Sequence, residues 1–355
     1  MNIAKSSILI SVLSFFSTLL GFFIQLILAN YYGASVEIDL YIIANSIPFL
    51  VTGVVVSAFS FSLTPYLISQ KVLDGYPNFL GLLFQYVLLF SIIVLAFGIL
   101  TSSNVVDFYG ENYLRKDLDD AVVIARIAWI TAILSILIGL FTSIYNANEK
   151  YIMPIFFSLI PVLSSIFFGV LGREEYGIVS FSFGAAVGSF ISVATLFVTL
   201  FNKICYRNCL KFTKEINYFI ARIHLVFISL LAFTIYQAID SYWAPLTGVG
   251  NLAYLSYSQR LLIGIGSLII AGPSVILGPR LAKAYVDNRI EVYYSELKLS
   301  IKIILLCVVP VAIVLIIFTI PSIELVFERG EFSKFDTVEM SNLLPFMIVG
   351  MVAMV

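Results

Sequence analysis

Residues 252–279 read LAYLSYSQRLLIGIGSLIIAGPSVILGP, apolar almost throughout and carrying a single charge, Arg260. A helix of this length crosses a hydrocarbon core of about 30 Å, so the segment reads as a membrane span. Comparable runs recur from one end of the chain to the other. Of its 355 residues, 61% are hydrophobic and 12% charged, and the mean hydropathy is +1.04. A soluble domain carries about twice that charged share. Barrel strands would alternate apolar and polar residues over segments of about ten, and no such pattern occurs. The chain is therefore expected to be an all-α polytopic membrane protein.

About ten transmembrane helices are expected, at 7–30, 40–68, 79–100, 121–146, 152–171, 178–201, 217–244, 252–279, 299–320 and 337–355. The first is too long for a signal-peptide core and lacks a small-x-small cleavage site. Basic residues distribute unevenly between the two sides. With the N-terminus inside, Lys71, Lys150, Lys203, Arg207, Lys211, Arg280, Lys283, Arg289 and Lys298 are cytoplasmic. Arg115, Lys116, Arg173, Arg329 and Lys334 fall outside, among acidic residues such as Asp107, Glu111, Asp117 and Glu331. The positive-inside rule thus predicts a cytoplasmic N-terminus.

The most basic connection, NKICYRNCLKFTKEI at 202–216, follows the sixth span. It serves as an orientation signal resting on anionic lipid, or as a linker between two halves. An internal repeat favours two halves. YYGASVEIDLYIIANSIP at 31–48 aligns with PLTGVGNLAYLSYSQRLL at 245–262, TPYLIS at 64–69 with GPRLAK at 278–283, and VVDFYGENY at 105–113 with LVFERGEFS at 325–333. Because six spans separate equivalent points, the copies are parallel, and parallel repeats place a substrate site near the midplane where they meet. The expected organisation is an N-lobe at 1–201 with six helices, a linker at 202–216, and a partial C-lobe at 217–355 with four. The second copy stops after its fourth span, so the natural sequence is expected to continue beyond Val355 by roughly two spans, each of about 20 residues.

Motifs of soluble enzymes are absent: there is no GxxxxGK[ST], HExxH or GxSxG. His224 is the single histidine, at the inner end of the seventh span, and Cys205 and Cys209 share one polar loop without further ligands. No catalytic residue, metal site, cofactor or nucleic-acid partner is expected. The informative residues are the ionisable ones in or beside spans: Asp39, Arg126, Asp240 and Arg260. A charge at the bilayer centre costs about 2.5–3.5 kcal/mol on the insertion scale, so chains retain one where it faces protein or water. Asp39 stands at a span entrance, where hydration or helix capping also accounts for it. Arg126 lies about one turn inside its span, within snorkelling reach of the surface. The turn PLTGVG makes the seventh and eighth spans adjacent antiparallel helices, so Asp240 and Arg260 are candidates either for a structural ion pair or for an anion site. Arginine suits phosphate because its planar fork donates two hydrogen bonds and keeps its charge. Gly184-x₃-Gly188 and Gly264-x-Gly266 read as close helix contacts.

At these residues the chain resembles the MurJ (MviN) lipid II flippases of the multidrug/oligosaccharidyl-lipid/polysaccharide exporter superfamily. The resemblance rests on LLGFFIQLILANYYGASVEIDLYIIANSIP at 19–48, on Arg126-Ile127 followed by NANEKYIMPIFFSLIPV at 146–162, on IDSYWAPLTGVGNLAYLSYSQRL at 239–261, and on VFERGEFSKFDT at 326–337. It implies two six-helix lobes, alternating access, and a cationic cavity holding a polyprenyl-diphosphate-linked saccharide among membrane lipids. The setting it implies is a bacterial inner membrane. Arg260, within Tyr257-Ser258-Gln259-Arg260-Leu261, matches the family's eighth-span arginine. Positions where the family carries further cations read Thr18, Ile24 and TGVVVSA at 52–58. Lipid II is the implied cargo, for peptidoglycan synthesis. An O-antigen-type repeat-unit flippase and a transport-inactive scaffold of the same fold are the alternatives.

Overall fold

The computed structural model describes residues 3–70, 76–200, 214–287 and 289–354. Most of the basic segment 202–216, with Cys205 and Cys209, lies outside the described residues, as does the His224 side chain. The described residues are helical almost throughout: α1 (Ile3–Tyr32), α2 (Val36–Ala58), a π-helical turn (Phe59–Leu63), α3 (Thr64–Gln70), α4 (Tyr76–Tyr109), α5 (Arg115–Ala147), α6 (Ile152–Tyr176), α7 (Val179–Leu200), α8 (Lys214–Thr247), α9 (Asn251–Val286), α10 (Ile290–Ile317), α11 (Thr319–Phe327) and α12 (Lys334–Met354). Lipid offers no partner for backbone N–H and C=O groups, so apolar chain crossing it must satisfy them within helices. Nine helices among the described residues are long and apolar enough to cross a membrane. The tenth expected span is α9, a helix of 36 residues.

Helices overrun the apolar runs that announce them. α4 continues to Tyr109 and α5 starts at Arg115, although 101–120 reads as a loop in sequence. Polar side chains at the ends bond back to the helix, as Thr101 and Ser102 do to the carbonyls of Phe97 and Gly98 at 2.8 and 2.6 Å. A second departure follows Phe318, where a separate helix, α11, occupies residues taken for the end of a span and a loop. Between α2 and α3 the backbone widens, and the Thr64 N–H bonds to the Phe59 carbonyl. The proline at 65 would otherwise press its ring on the carbonyl four residues earlier.

Contacts divide the chain into two compact units, Met1–Leu20 with Val36–Leu252, and Gly21–Ser35 with Ala253–Val355. In the first, α5 is the axis: 56% of its apolar window is buried, against 17% for α6. Its Ile136, Leu140, Phe141 and Ile144 pack with Phe59, Leu63 and Leu67 after α2, with Leu80, Leu83 and Val87 of α4, and with Leu196 of α7. α8 joins this unit by packing against α2 and α4. In the second unit, α10 and α11 pack against α12.

The α6–α7 contact is closer still. A methyl group at Gly184 would lie 2.5 Å from the Ser164 carbonyl oxygen, and one at Gly188 2.7 Å from the Pro161 Cα. Both obstacles are backbone and cannot rotate away. Gly188→Val is expected to destabilise the protein by about 2–3 kcal/mol through overpacking, read as a lowered melting temperature in detergent. Unchanged melting would show the contact to be loose. Gly264 behaves differently from its sequence reading. A methyl group there meets nothing within 4 Å among the described residues.

Candidate functional site

The four ionisable candidates occupy different settings. Asp39, in the first turns of α2, is fully buried at 0% exposure. Its Oδ2 accepts the Tyr113 hydroxyl at 2.8 Å and the Gly250 N–H at 2.6 Å. Hydration at a span entrance is thereby excluded, because the carboxylate holds the turn before α5 and the turn before α9 onto α2. Burial first, and then the Asp39 charge and hydrogen bond, push the Tyr113 phenol above the ordinary tyrosine range, so it remains a donor at neutral pH. Arg126 lies about three turns into α5, not one, because that helix starts at Arg115. Its side chain is exposed, on the strip it shares with Val123 and Ile130. Asp240 is half-buried on α8. The rotation of α8 is fixed nearby by Tyr242, which stacks on Phe108 with ring centroids 5.2 Å apart.

Arg260 belongs to the second unit. Tyr257, one turn earlier, is fully buried and donates its hydroxyl to the Gly33 carbonyl at 2.8 Å. Its ring stacks on Phe327 at 5.6 Å and meets Phe332 edge-on at 6.1 Å. A turn before that, Tyr254 donates to Asp336 at 2.6 Å. These anchors, with buried Leu261 and Leu262, fix how α9 is rotated. Arg260 then falls on the flank of the buried face and is half-buried. It shares that flank with Ser256, Gly264 and Ser267, all partly exposed and spaced at one helical turn. The side chains beside the guanidinium on this strip are small. The strip 256/260/264/267 escapes a motif search, although its spacing of about one turn is visible in the sequence once α9 is known to be helical.

The echo between halves extends to contacts. In the first unit, the fourth residue of α2, Asp39, takes the hydroxyl of Tyr113 ahead of α5. In the second, the fourth residue of α9, Tyr254, gives its hydroxyl to Asp336 at the start of α12. Carboxylate and phenol have exchanged helices at corresponding places. Asp336 is itself held by a reciprocal cap, accepting from the Ser333 N–H at 2.7 Å while Ser333 Oγ accepts from its N–H at 3.3 Å. The 326–337 stretch therefore builds the turn between α11 and α12. Among the described residues, no group of three or more His, Cys, Asp and Glu side chains is placed to hold a metal ion.

The architecture is that of a multi-pass α-helical membrane transporter with a charged residue set on a rigid helix. Comparison with known proteins narrows the class: the family model described as "Lipid II flippase MurJ" matches residues 28–355. The chain belongs to the MurJ lipid II flippase family. A probable lipid II flippase MurJ of Buchnera aphidicola subsp. Baizongia pistaciae is 26% identical across 100% of this chain and 71% of its own length. The lipid II flippase MurJ of Thermosipho africanus is 32% identical over 54% of this chain and 40% of its own. Among solved structures, a lipid II flippase MurJ in an inward closed conformation superposes with a TM-score of 0.84 at 24% identity, covering 97% of this chain and 73% of that one. An inward-facing multidrug resistance MATE transporter of the MOP superfamily gives 0.77 at 13% identity, covering 95% and 78%. These two likenesses speak to the fold.

Proposed function

We propose that the chain is a flippase that moves lipid II, a polyprenyl-diphosphate-linked saccharide, from the inner to the outer leaflet of a bacterial cytoplasmic membrane by alternating access. The observation that carries this reading is the family match over 28–355. In this reading the sequence halves 1–201 and 217–355 are the rocking lobes, and 202–216 links them. Arg260 receives the diphosphate, and the small residues beside it accommodate the headgroup. Arg126 supplies a second cation along the route, while Asp240 and Asp39 set the local charge and hold the helix ends. No covalent step is required, so the protein acts as a carrier and not as an enzyme. The test is rescue: cells depleted of their own flippase and supplied with this chain should again expose lipid II on the outer leaflet.

A transport-inactive scaffold is the second reading, favoured by the neutral residues Thr18 and Ile24 where the family carries arginines. Failed rescue by a stably inserted protein would select it. Orientation is tested separately. With the N-terminus and 202–216 cytoplasmic, an impermeant thiol reagent added to intact cells should leave Cys205 and Cys209 unlabelled in a Cys307→Ser background. Labelling would reverse the topology.

A further inference from the structure

α10 carries an amphipathic stripe apart from the residues assigned above to flipping. Tyr294, Lys298, Lys302, Leu305 and Val309 succeed one another at helical spacing, and all five are exposed. Lys298 and Lys302 are among the residues lining a shallow, open apolar groove of about 560 Å³, with Ile301, Leu305, Leu306, Val309 and Pro310. Neither lysine forms an ion pair with a described acidic residue. Glu296, two residues before Lys298 and so on the other side of the helix, faces Arg280 at 4.0 Å. Both lysines thus stand beside an apolar groove without a counter-charge among the described residues.

We propose that this face of α10 binds one anionic phospholipid of the surrounding bilayer, its phosphate at Lys298 and Lys302 and an acyl chain along Leu305 to Pro310. The order of chemistry along the stripe matches the order met on entering a membrane. An interfacial tyrosine comes first, then two cations at headgroup depth, then hydrocarbon. The dimensions agree: Lys298 to Pro310 is about 18 Å of helix, close to one leaflet of a core about 30 Å thick. Charge complementarity selects an anionic headgroup over a zwitterionic one.

Native mass spectrometry of the full chain, offered phosphatidylglycerol or phosphatidylcholine with identical acyl chains, tests the site. Phosphatidylglycerol should be retained in preference. Lys298→Gln or Lys302→Gln alone should weaken its binding about fivefold, and the pair together about 25-fold. The arginine pair should keep most of it, and Leu305→Ala with Val309→Ala should weaken both lipids. A photoreactive phosphatidylglycerol should crosslink to peptides within 290–310 of the unaltered protein, a readout independent of how the variants fold. Equal retention of the two lipids, binding unchanged in the double glutamine variant, or crosslinks confined to other helices would overturn the proposal. Displacement by millimolar inorganic phosphate would do so too, marking a free-anion site, and a dimer lost in the variant would mark an interface between copies.

Discussion

Arg260→Ala should abolish flipping while leaving the quantity and melting temperature of the folded protein nearly unchanged. The side chain sits on the flank of α9, whose rotation is held by Tyr254, Tyr257 and Leu261. Truncating it therefore removes charge without opening the aromatic contacts beneath. What is lost is a fork able to bind a diphosphate through paired hydrogen bonds. Arg260→Lys should keep part of the activity, because charge survives and bidentate geometry does not. The competing explanation is a purely structural pairing with Asp240. A buried pair loses most when one partner is removed, since the other charge is left uncompensated. On that explanation the double variant Arg260→Ala/Asp240→Ala should flip lipid-linked sugar in vesicles better than either single variant. If it does, the substrate role is refuted.

The second large effect is on stability. Asp39→Ala would orphan two donors in a fully buried place, the Tyr113 hydroxyl and the Gly250 N–H. Each buried, unsatisfied group costs about 1–3 kcal/mol, so a loss of roughly 3 kcal/mol or more is expected, seen as a marked fall in melting temperature. Asp39→Asn keeps an acceptor oxygen and should cost about 1 kcal/mol. Tyr113→Phe should fall between them, and it carries a signature in pH. The folded-state pKa of Tyr113 is raised, so its contribution is complete below the ordinary tyrosine value of about 10. It is lost as pH rises from there through the folded value, because the unfolded chain releases its proton first. Melting temperature should thus be insensitive to this pair at neutral pH and should fall in alkali, and Tyr113→Phe should flatten the fall. If Asp39→Asn stops transport at an unchanged melting temperature, the negative charge itself takes part in the cycle.

The membrane class and the approximate spans were legible from composition and from apolar runs, because lipid forces such runs into helices whatever their neighbours. Some turns were legible because they demand particular residues. Gly33 and Gly330 both take positive φ, at 58° and 59°, and a methyl group at Gly330 would collide with the Asn30 carbonyl. The Tyr257-x-x-Arg260-Leu261 pattern announced a charged helix, and the structure supplied its meaning by burying Tyr257 and Leu261 and leaving Arg260 on the flank. Other features had no local signal. Asp39 is joined to Tyr113 and Gly250 across 74 and 211 residues, a separation on which periodicity is silent. The same holds for α8 and for the part of α1 from Gly21 onward, which the contact units assign against chain order. Hydrophobic pattern reports whether a helix forms and which side avoids water, and in a membrane nearly every side does so. Which side meets which neighbour is decided by shape and by the few polar groups that must find partners, and those partners come together only in the folded chain.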